Sequence, residues 1–204
     1  MATFKQLLEM KRNTIRQFKI NLPENLVRTY LQEALQYECK VRRKEFVPNT
    51  AVINSATLFL TNWETKNSLM ICGTIGSGKT TLLKAIVDVV EKTSPASDHR
   101  IVMSVNAQDI VNAKVEDREL FEEMCKARFL TIDDLGTESE KVQHYGTNIY
   151  PVKELLRKRY ENDAWTVITT NLNNQQLSEL YGERIADRFR ETYETLAIVV
   201  RSYR

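Results

Sequence analysis

The chain has 204 residues, enough for one good-sized domain or one domain with a small appendage. With 42% apolar and 27% charged residues it is not a disordered chain, and six Gly plus four Pro exclude a collagen-like or linker-like one. The formal charge of +2 speaks only against a strongly basic tail and leaves a local basic face open.

In chain order, Thr3 is placed to cap a first helix carrying Phe4, Leu7, Leu8, Ile15 and Phe18. Asn21-Leu22-Pro23-Glu24 opens a second helix, with Pro near the first helical position and an acid in the first turn. Leu26, Val27, Tyr30, Leu31, Ala34 and Leu35 recur along it at helical spacing. It closes on a basic run, Lys40 to Lys44, which suits a helix C-terminus, and Pro48 comes next. The chain therefore divides into a short helical N-terminal extension, 1–47, and a core, 48–204.

From Pro48 on, short apolar runs alternate with helical stretches. Ser68–Cys72, Ile101–Val105, Phe129–Ile132, Trp165–Thr170 and Leu196–Val200 read as five strands, with helices such as Thr80–Lys92 and Val152–Glu161 between them. Continuous apolar strands separated by helices indicate an α/β fold, a parallel sheet covered on both faces. Cys39, Cys72 and Cys125 are odd in number and far apart, and His99 and His144 stand alone, so reduced thiols are expected rather than a zinc site or a disulfide framework. No apolar stretch approaches the ~20 residues that span a bilayer. The N-terminus shows no signal peptide, and a cytoplasmic location is expected.

Gly73-Thr74-Ile75-Gly76-Ser77-Gly78-Lys79-Thr80 matches the phosphate-binding loop GxxxxGK(S/T) at every fixed position, between a strand and a helix that opens on Thr81. Glycines let the backbone wrap a phosphate, and the helix presents its positive end to the anion. Gly73, Thr74, Gly76, Ser77, Gly78, Lys79, Thr80 and Thr81 are thus the expected nucleotide contacts. Lys79 reaches the β- and γ-phosphates of ATP, and Thr80 places its hydroxyl on Mg²⁺. The strand Phe129–Ile132 ends in Asp133 and Asp134, 54 positions after Lys79, at the sheet edge where ligands bind in open α/β folds. Asp133 is expected to hold Mg²⁺ through its water shell and Asp134 to orient the attacking water. Adjacent side chains on a strand point to opposite faces, so the pair should divide these jobs. Thr169-Thr170-Asn171 ends the fourth strand, where an amide can bridge the γ-phosphate and that water. In Tyr181-Gly182-Glu183-Arg184-Ile185-Ala186-Asp187-Arg188, Arg184 and Arg188 share a helix face. They serve either as arginine-finger candidates or as members of a salt-bridged surface with Asp187 and Glu191.

Together, Gly73–Thr80, Phe129–Gly136, Thr169–Asn171 and Gly182–Arg188 resemble the DnaC/IstB group of AAA+ ATPases, which contains bacterial helicase loaders and ATPases that assist insertion-sequence transposition. Arg201-Ser202-Tyr203-Arg204 is similar to that group as well. The resemblance covers 48–204. It implies a P-loop ATPase of DNA replication with a five-stranded parallel sheet, acting on a partner helicase or, alternatively, on a transposase. It gives Lys79 and Thr80 the Walker A roles and Asp133 and Asp134 those of Walker B, with Asp134 where most AAA+ proteins have Glu. It makes Asn171 sensor 1 and Arg188 the arginine offered to a neighbour's ATP, with Arg184 one turn before it and Arg204 a sensor-2 substitute. It also implies an ATP-dependent homo-oligomer on single-stranded DNA, with slow hydrolysis in the free monomer.

The chain stops soon after the fifth strand, so no C-terminal lid is expected, and partner choice falls to the extension 1–47. The stretch Thr137–Gly146 is similar to the loop through which the group touches single-stranded DNA, with Ser139, Lys141 and Tyr145 as the candidate contacts. Glu138 and Glu140 there would oppose a phosphate, whereas Lys153, Arg157, Lys158 and Arg159 on the next helix add positive charge. Two other classes stay open: a small-molecule kinase, for which no basic lid segment is evident after Asn171, and a nucleotide-dependent adaptor that does not hydrolyse.

Overall fold

The computed structural model describes residues 3, 17–95, 98–144 and 146–199. The elements run α1 (Glu24–Val41), α2 (Thr50–Thr61), β1 (Ser68–Gly73), α3 (Lys79–Lys92), β2 (Val102–Asn106), α4 (Ala107–Glu116) and α5 (Arg118–Lys126). They continue with β3 (Phe129–Leu135), β4 (Val142–His144), β5 (Thr147–Ile149), α6 (Pro151–Glu161), β6 (Trp165–Thr170), α7 (Asn174–Tyr181), α8 (Glu183–Thr192) and β7 (Tyr193–Ile198). Five strands form one parallel sheet in the order β2-β3-β6-β1-β7. All five expected strands are present. The last begins three residues earlier than its apolar run, because Tyr193 already packs inward under the sheet.

The period of two along each strand splits the core into two layers. Leu69, Ile71, Phe129, Trp165, Val167, Leu196 and Ile198 face the layer that holds α1 to α3. Met70, Leu130, Ile132, Ile168 and Tyr193 face the layer of α4 to α8. α1 starts behind Pro23 with Glu24 in its first turn, and it buries Val27, Leu31 and Leu35, spaced one turn apart, against α3. Residues 17–20, which the spacing assigns to the end of a first helix, run without regular secondary structure. There Phe18 meets Phe129 edge-on at 4.8 Å, and the Ile20 N–H donates to Leu60 O at 2.7 Å. The rest of that expected helix lies outside the described residues. Among the described residues, then, 17–47 shares one hydrophobic core with the chain beyond Pro48.

The stretch Thr137–Gly146, likened above to a DNA-touching loop, leads into the antiparallel hairpin β4-β5, short and polar enough to leave no apolar alternation to read. The described residues end at 199, one residue past β7, and no lid stands over the sheet among them. Among them, too, no helix is long and apolar enough to cross a membrane, and the three cysteines are free.

Candidate nucleotide-binding site

The carboxyl ends of β1, β3 and β6 meet at one edge of the sheet. β1 ends in Gly73, where an added Cβ would sit 2.7 Å from Ser77 Oγ and 2.9 Å from Ile198 O, so only glycine lets the loop turn against β7. Gly78 caps α3 in the left-handed region, φ +96°, and turns the loop into the helix. Lys79, 5% exposed, donates to Gly73 O at 2.8 Å, Thr74 O at 3.0 Å and Asn171 Oδ1 at 2.6 Å. Burial first lowers its pKa, opposed by Asp134, Asp133 and Cys72. The expected Walker A lysine and sensor amide are thus in direct contact.

β3 carries the acids on a distortion. From Ile132 to Leu135 three steps on β3 face two on β6, from Ile168 to Thr170, and Asp134 takes φ +55°. This is a β-bulge, one extra residue that bends the strand and re-aims its side chains. It removes the strict opposition of adjacent side chains. Asp133 Oδ1 accepts from Thr80 Oγ1 at 3.1 Å and from Thr169 Oγ1 at 2.5 Å, while Asp134 lines the cavity beside Lys79. Partial withdrawal from water, then the Asp133 carboxylate, raises the pKa of Asp134 against the pull of Lys79.

The threonines before Asn171 each hold the bulge. Thr169 Oγ1 also accepts from the Asp134 N–H at 2.8 Å, and Thr170 Oγ1 donates to Leu135 O at 2.8 Å. Residue type and motif position pointed to the pair, but not to this clamp, which depends on the β3–β6 register.

A cavity of about 830 Å³ opens over these groups. Its polar floor is formed by Gly76, Ser77, Gly78, Lys79, Thr80, Thr81, Asp134 and Asn171. Its apolar wall comes from Leu35 and Cys39 of α1, Phe46, Val47, Val52 and Ile53 of α2 and the turn before it, and Ile198. The wall draws on both sides of the 47/48 division. In the sequence Leu35 reads as part of a helical stripe, Cys39 as a thiol and Ile198 as part of a strand, none of them as a cavity wall; Asn49 caps α2 and accepts from the Val52 N–H at 3.2 Å. Ser77 Oγ is buried with no partner among the described residues.

Neither Arg184 nor Arg188 lines this cavity. Arg188 lies over the Tyr160 ring at 4.4 Å, and Arg184 is exposed. The alternative of a salt-bridged surface pairs them differently: Asp187 faces Arg190 at 3.5 Å, and Glu191 accepts from Tyr160 Oη at 2.7 Å. Arg204 and Tyr145 lie outside the described residues. Ser139 and Lys141 are exposed between β3 and β4.

Two expectations about charge near that loop are corrected. Glu138 is 8% exposed and faces inward, where its carboxylate accepts from Tyr181 Oη and from the Gly136 N–H, so it does not oppose a phosphate. Arg159 is 1% exposed and donates to Met124 O, Ala127 O, Trp165 O and Thr166 Oγ1, so it adds nothing to a basic face. Lys153 pairs with Glu140 and Arg157 with Glu161 at the surface.

A phosphate loop on a β2-β3-β6-β1-β7 sheet, with an acidic pair and an asparagine at adjacent strand ends, defines a P-loop fold of the AAA+ class. The family model for the bacterial DnaA ATPase domain matches residues 44–195, and the chain belongs to that family. The chromosomal replication initiator DnaA of Lacticaseibacillus casei (strain BL23) is 30% identical over 128 residues, 61% of this chain and 27% of that protein. The replicative helicase loader DnaC of Escherichia coli (strain K12) is 25% identical over 126 residues, 60% of this chain and 50% of that protein. The chain thus spans between about a quarter and half of the relatives it matches. Solved structures with the same fold include DnaI (TM-score 0.58, 21% identity, 96% of this chain and 100% of that one). The DnaC helicase loader is a second (0.56, 23%, 76% and 94%). DnaA bound to AMPPCP and single-stranded DNA is a third (0.54, 19%, 77% and 48%). The resemblance to DnaC-type AAA+ proteins drawn from the motifs is borne out.

Proposed function

We propose that this chain binds and hydrolyses ATP with Mg²⁺, assembles into an ATP-dependent homo-oligomer on single-stranded DNA, and acts in the cytoplasm on a replicative helicase as a loader. The observation that carries the reading is the cavity that joins Lys79, the orphaned Ser77 hydroxyl, Asp134 and Asn171 beneath an apolar wall. The residues fit a nucleoside triphosphate. The loop supplies backbone N–H groups and the positive end of α3 for phosphates, and the wall from α1, α2 and Ile198 suits a base. No group of three or more His, Cys, Asp or Glu is arranged to hold a metal among the described residues. Thr80 and Asp133 would therefore hold Mg²⁺ together with water and phosphate oxygens, and the ion supplies charge neutralisation when bound.

Within this chain we assign the roles as follows. Lys79 presents its cation to the phosphates, Thr80 and Asp133 keep their contact at the metal position, Asp134 orients water, and Asn171 holds both Lys79 and that water in line. Arg188 and Arg184 lie outside the cavity of their own chain, which supports their acting on a neighbouring copy. Without an arginine from a neighbour, hydrolysis in the free monomer is slow. The DNA contact at Ser139, Lys141 and Tyr145 beside the β4-β5 hairpin, and a partner-binding role for 1–47, belong to the same proposal.

The relatives are replication proteins, one a helicase loader by name, which supports a helicase rather than a transposase as partner. The test is hydrolysis with single-stranded DNA and the helicase present. Arg188→Ala is expected to keep ATP binding and lose ~10³-fold or more of the stimulated rate, as removal of a trans-acting arginine does. Full stimulated hydrolysis by that variant, or no complex between the chain and a helicase, would defeat the reading.

A further inference from the structure

Glu138 is a buried carboxylate that no cation pairs with among the described residues. One of its oxygens accepts from the Gly136 N–H at 2.7 Å, two residues past Asp134. The other accepts from the hydroxyl of Tyr181, the last residue of α7. Gly182 comes after Tyr181 with φ +88° and serves as both the end of α7 and the start of α8. A glycine in that region is a swivel, so it does not by itself fix the direction of α8. The Tyr181 ring meets Phe189 edge-on at 6.5 Å, and Phe189 meets Tyr193 at 5.1 Å. The rings seat the inner face of α8, and phenylalanine at 181 would serve that packing equally well. The hydroxyl serves instead the polar contacts with Glu138 and the Gly136 backbone. Withdrawing a carboxylate from water for two neutral donors is costly, and the arrangement fixes geometry rather than adding stability.

We propose that Tyr181 is a positioning residue: through Glu138 its hydroxyl ties the start of the arginine-bearing helix α8 to the turn that follows Asp134 at the end of β3. The acidic edge of one copy and the arginines it offers to the next are then held as one unit. This rests on the reading that Arg184 or Arg188 acts on a neighbouring copy. Burial, followed by the Glu138 carboxylate, raises the Tyr181 pKa, which keeps the hydroxyl a donor throughout the neutral range.

Mixed assemblies on single-stranded DNA test it. Subunits with Asp134→Asn, which keep Lys79 and so still bind ATP and assemble, donate α8 to wild-type subunits that hydrolyse. Tyr181→Phe added to the donors is expected to lower kcat by about 10- to 100-fold, the scale of a displaced catalytic group, at unchanged KM for ATP. Placed only in the hydrolysing subunits, it should leave kcat within about twofold of wild type, since those subunits still receive an intact neighbour's α8. Glu138→Ala donors should reproduce the loss, and the double variant should be no worse than the worse single one. Each variant's affinity for a fluorescent ATP analogue should match the unsubstituted protein, and its melting temperature should fall by no more than about 10 °C, the cost of one buried hydrogen bond. An unchanged kcat with Tyr181→Phe donors, or an equal loss wherever the substitution sits, would overturn the proposal. If donors carrying Arg184→Ala and Arg188→Ala support full hydrolysis, the trans-acting arginines fail, and this proposal fails with them.

Discussion

Lys79 and Arg159 are both cations withdrawn from water, and they stand at opposite edges of the same sheet. At the carboxyl edge Lys79 donates to two loop carbonyls and to Asn171, and its remaining side faces a cavity of about 830 Å³. At the amino edge Arg159, 1% exposed, spends its guanidinium on Met124 O, Ala127 O, Trp165 O and Thr166 Oγ1. Burial pushes its pKa down to about 10, so it stays charged at neutral pH. Lys19 belongs with Arg159: it clamps Phe59 O, Thr65 Oγ1 and Lys66 O near the foot of the sheet. The difference is not in residue type or in degree of burial. A buried cation whose partners are all supplied by the chain is a clamp, and one that borders a cavity is a binding group.

The contrast makes predictions that differ in what is measured. The largest effect is expected for Arg159→Met, which leaves three backbone carbonyls without their donor. It should cost about 3–4 kcal/mol, or roughly 10 °C in melting temperature, with nucleotide affinity of the folded fraction unchanged. An affinity loss without a stability loss would erase the distinction.

Lys79→Met should do the reverse. Nucleotide affinity, read by titration calorimetry, should fall by about 100-fold or more, near 3 kcal/mol, while the melting temperature without nucleotide stays within about 4 °C.

Lys19 sharpens the comparison through pH. Burial lowers its pKa from 10.5 to about 8, with Glu194 opposing. Between those values the unfolded chain binds the proton and the folded chain does not, so folding stability gains from this group as pH rises from about 8 towards 10.5. Denaturant titrations should show a wild-type gain over Lys19→Met of at most roughly 2–3 kcal/mol across that window, and no difference in slope below it. A parallel pH profile for the two proteins would remove Lys19 from the set of sealed cations.

The smallest effect is expected at exposed pairs. Lys153→Ala and Arg157→Ala, which break Lys153–Glu140 and Arg157–Glu161, should each shift stability by less than about 1 kcal/mol, and the shift should shrink further in high salt.

How much of this was readable beforehand depended on whether the information was local. Lys79, Thr80 and Gly78 are set by the chemistry of one loop between a strand and a helix, so their spacing was enough. The five apolar runs were legible because the central strands β1, β3 and β6 are covered on both faces and the edge strands β2 and β7 still bury apolar residues, and all five are in the sheet. The roles of Thr169 and Thr170 were not, because they depend on a one-residue bulge in a different strand. Arg159 reads, with Lys153, Arg157 and Lys158, as one basic helix. Periodicity alone cannot say that its position faces the ends of β3 and β6 while Arg157 faces water. Glu138 read as a surface acid for the same reason, since its partner Tyr181 stands 43 positions away.

By itself, then, the sequence determined the phosphate loop, the acids at the strand end and the parallel α/β arrangement, because these derive from residue type and short-range periodicity. The tertiary structure alone decided which cations are sealed and which face the cavity. It also decided that the apolar wall comes from both sides of Pro48, and that a buried tyrosine–carboxylate contact joins the acidic edge to the arginine helix. Each of these depends on segments distant in the chain meeting at a particular register, and no local pattern encodes that register.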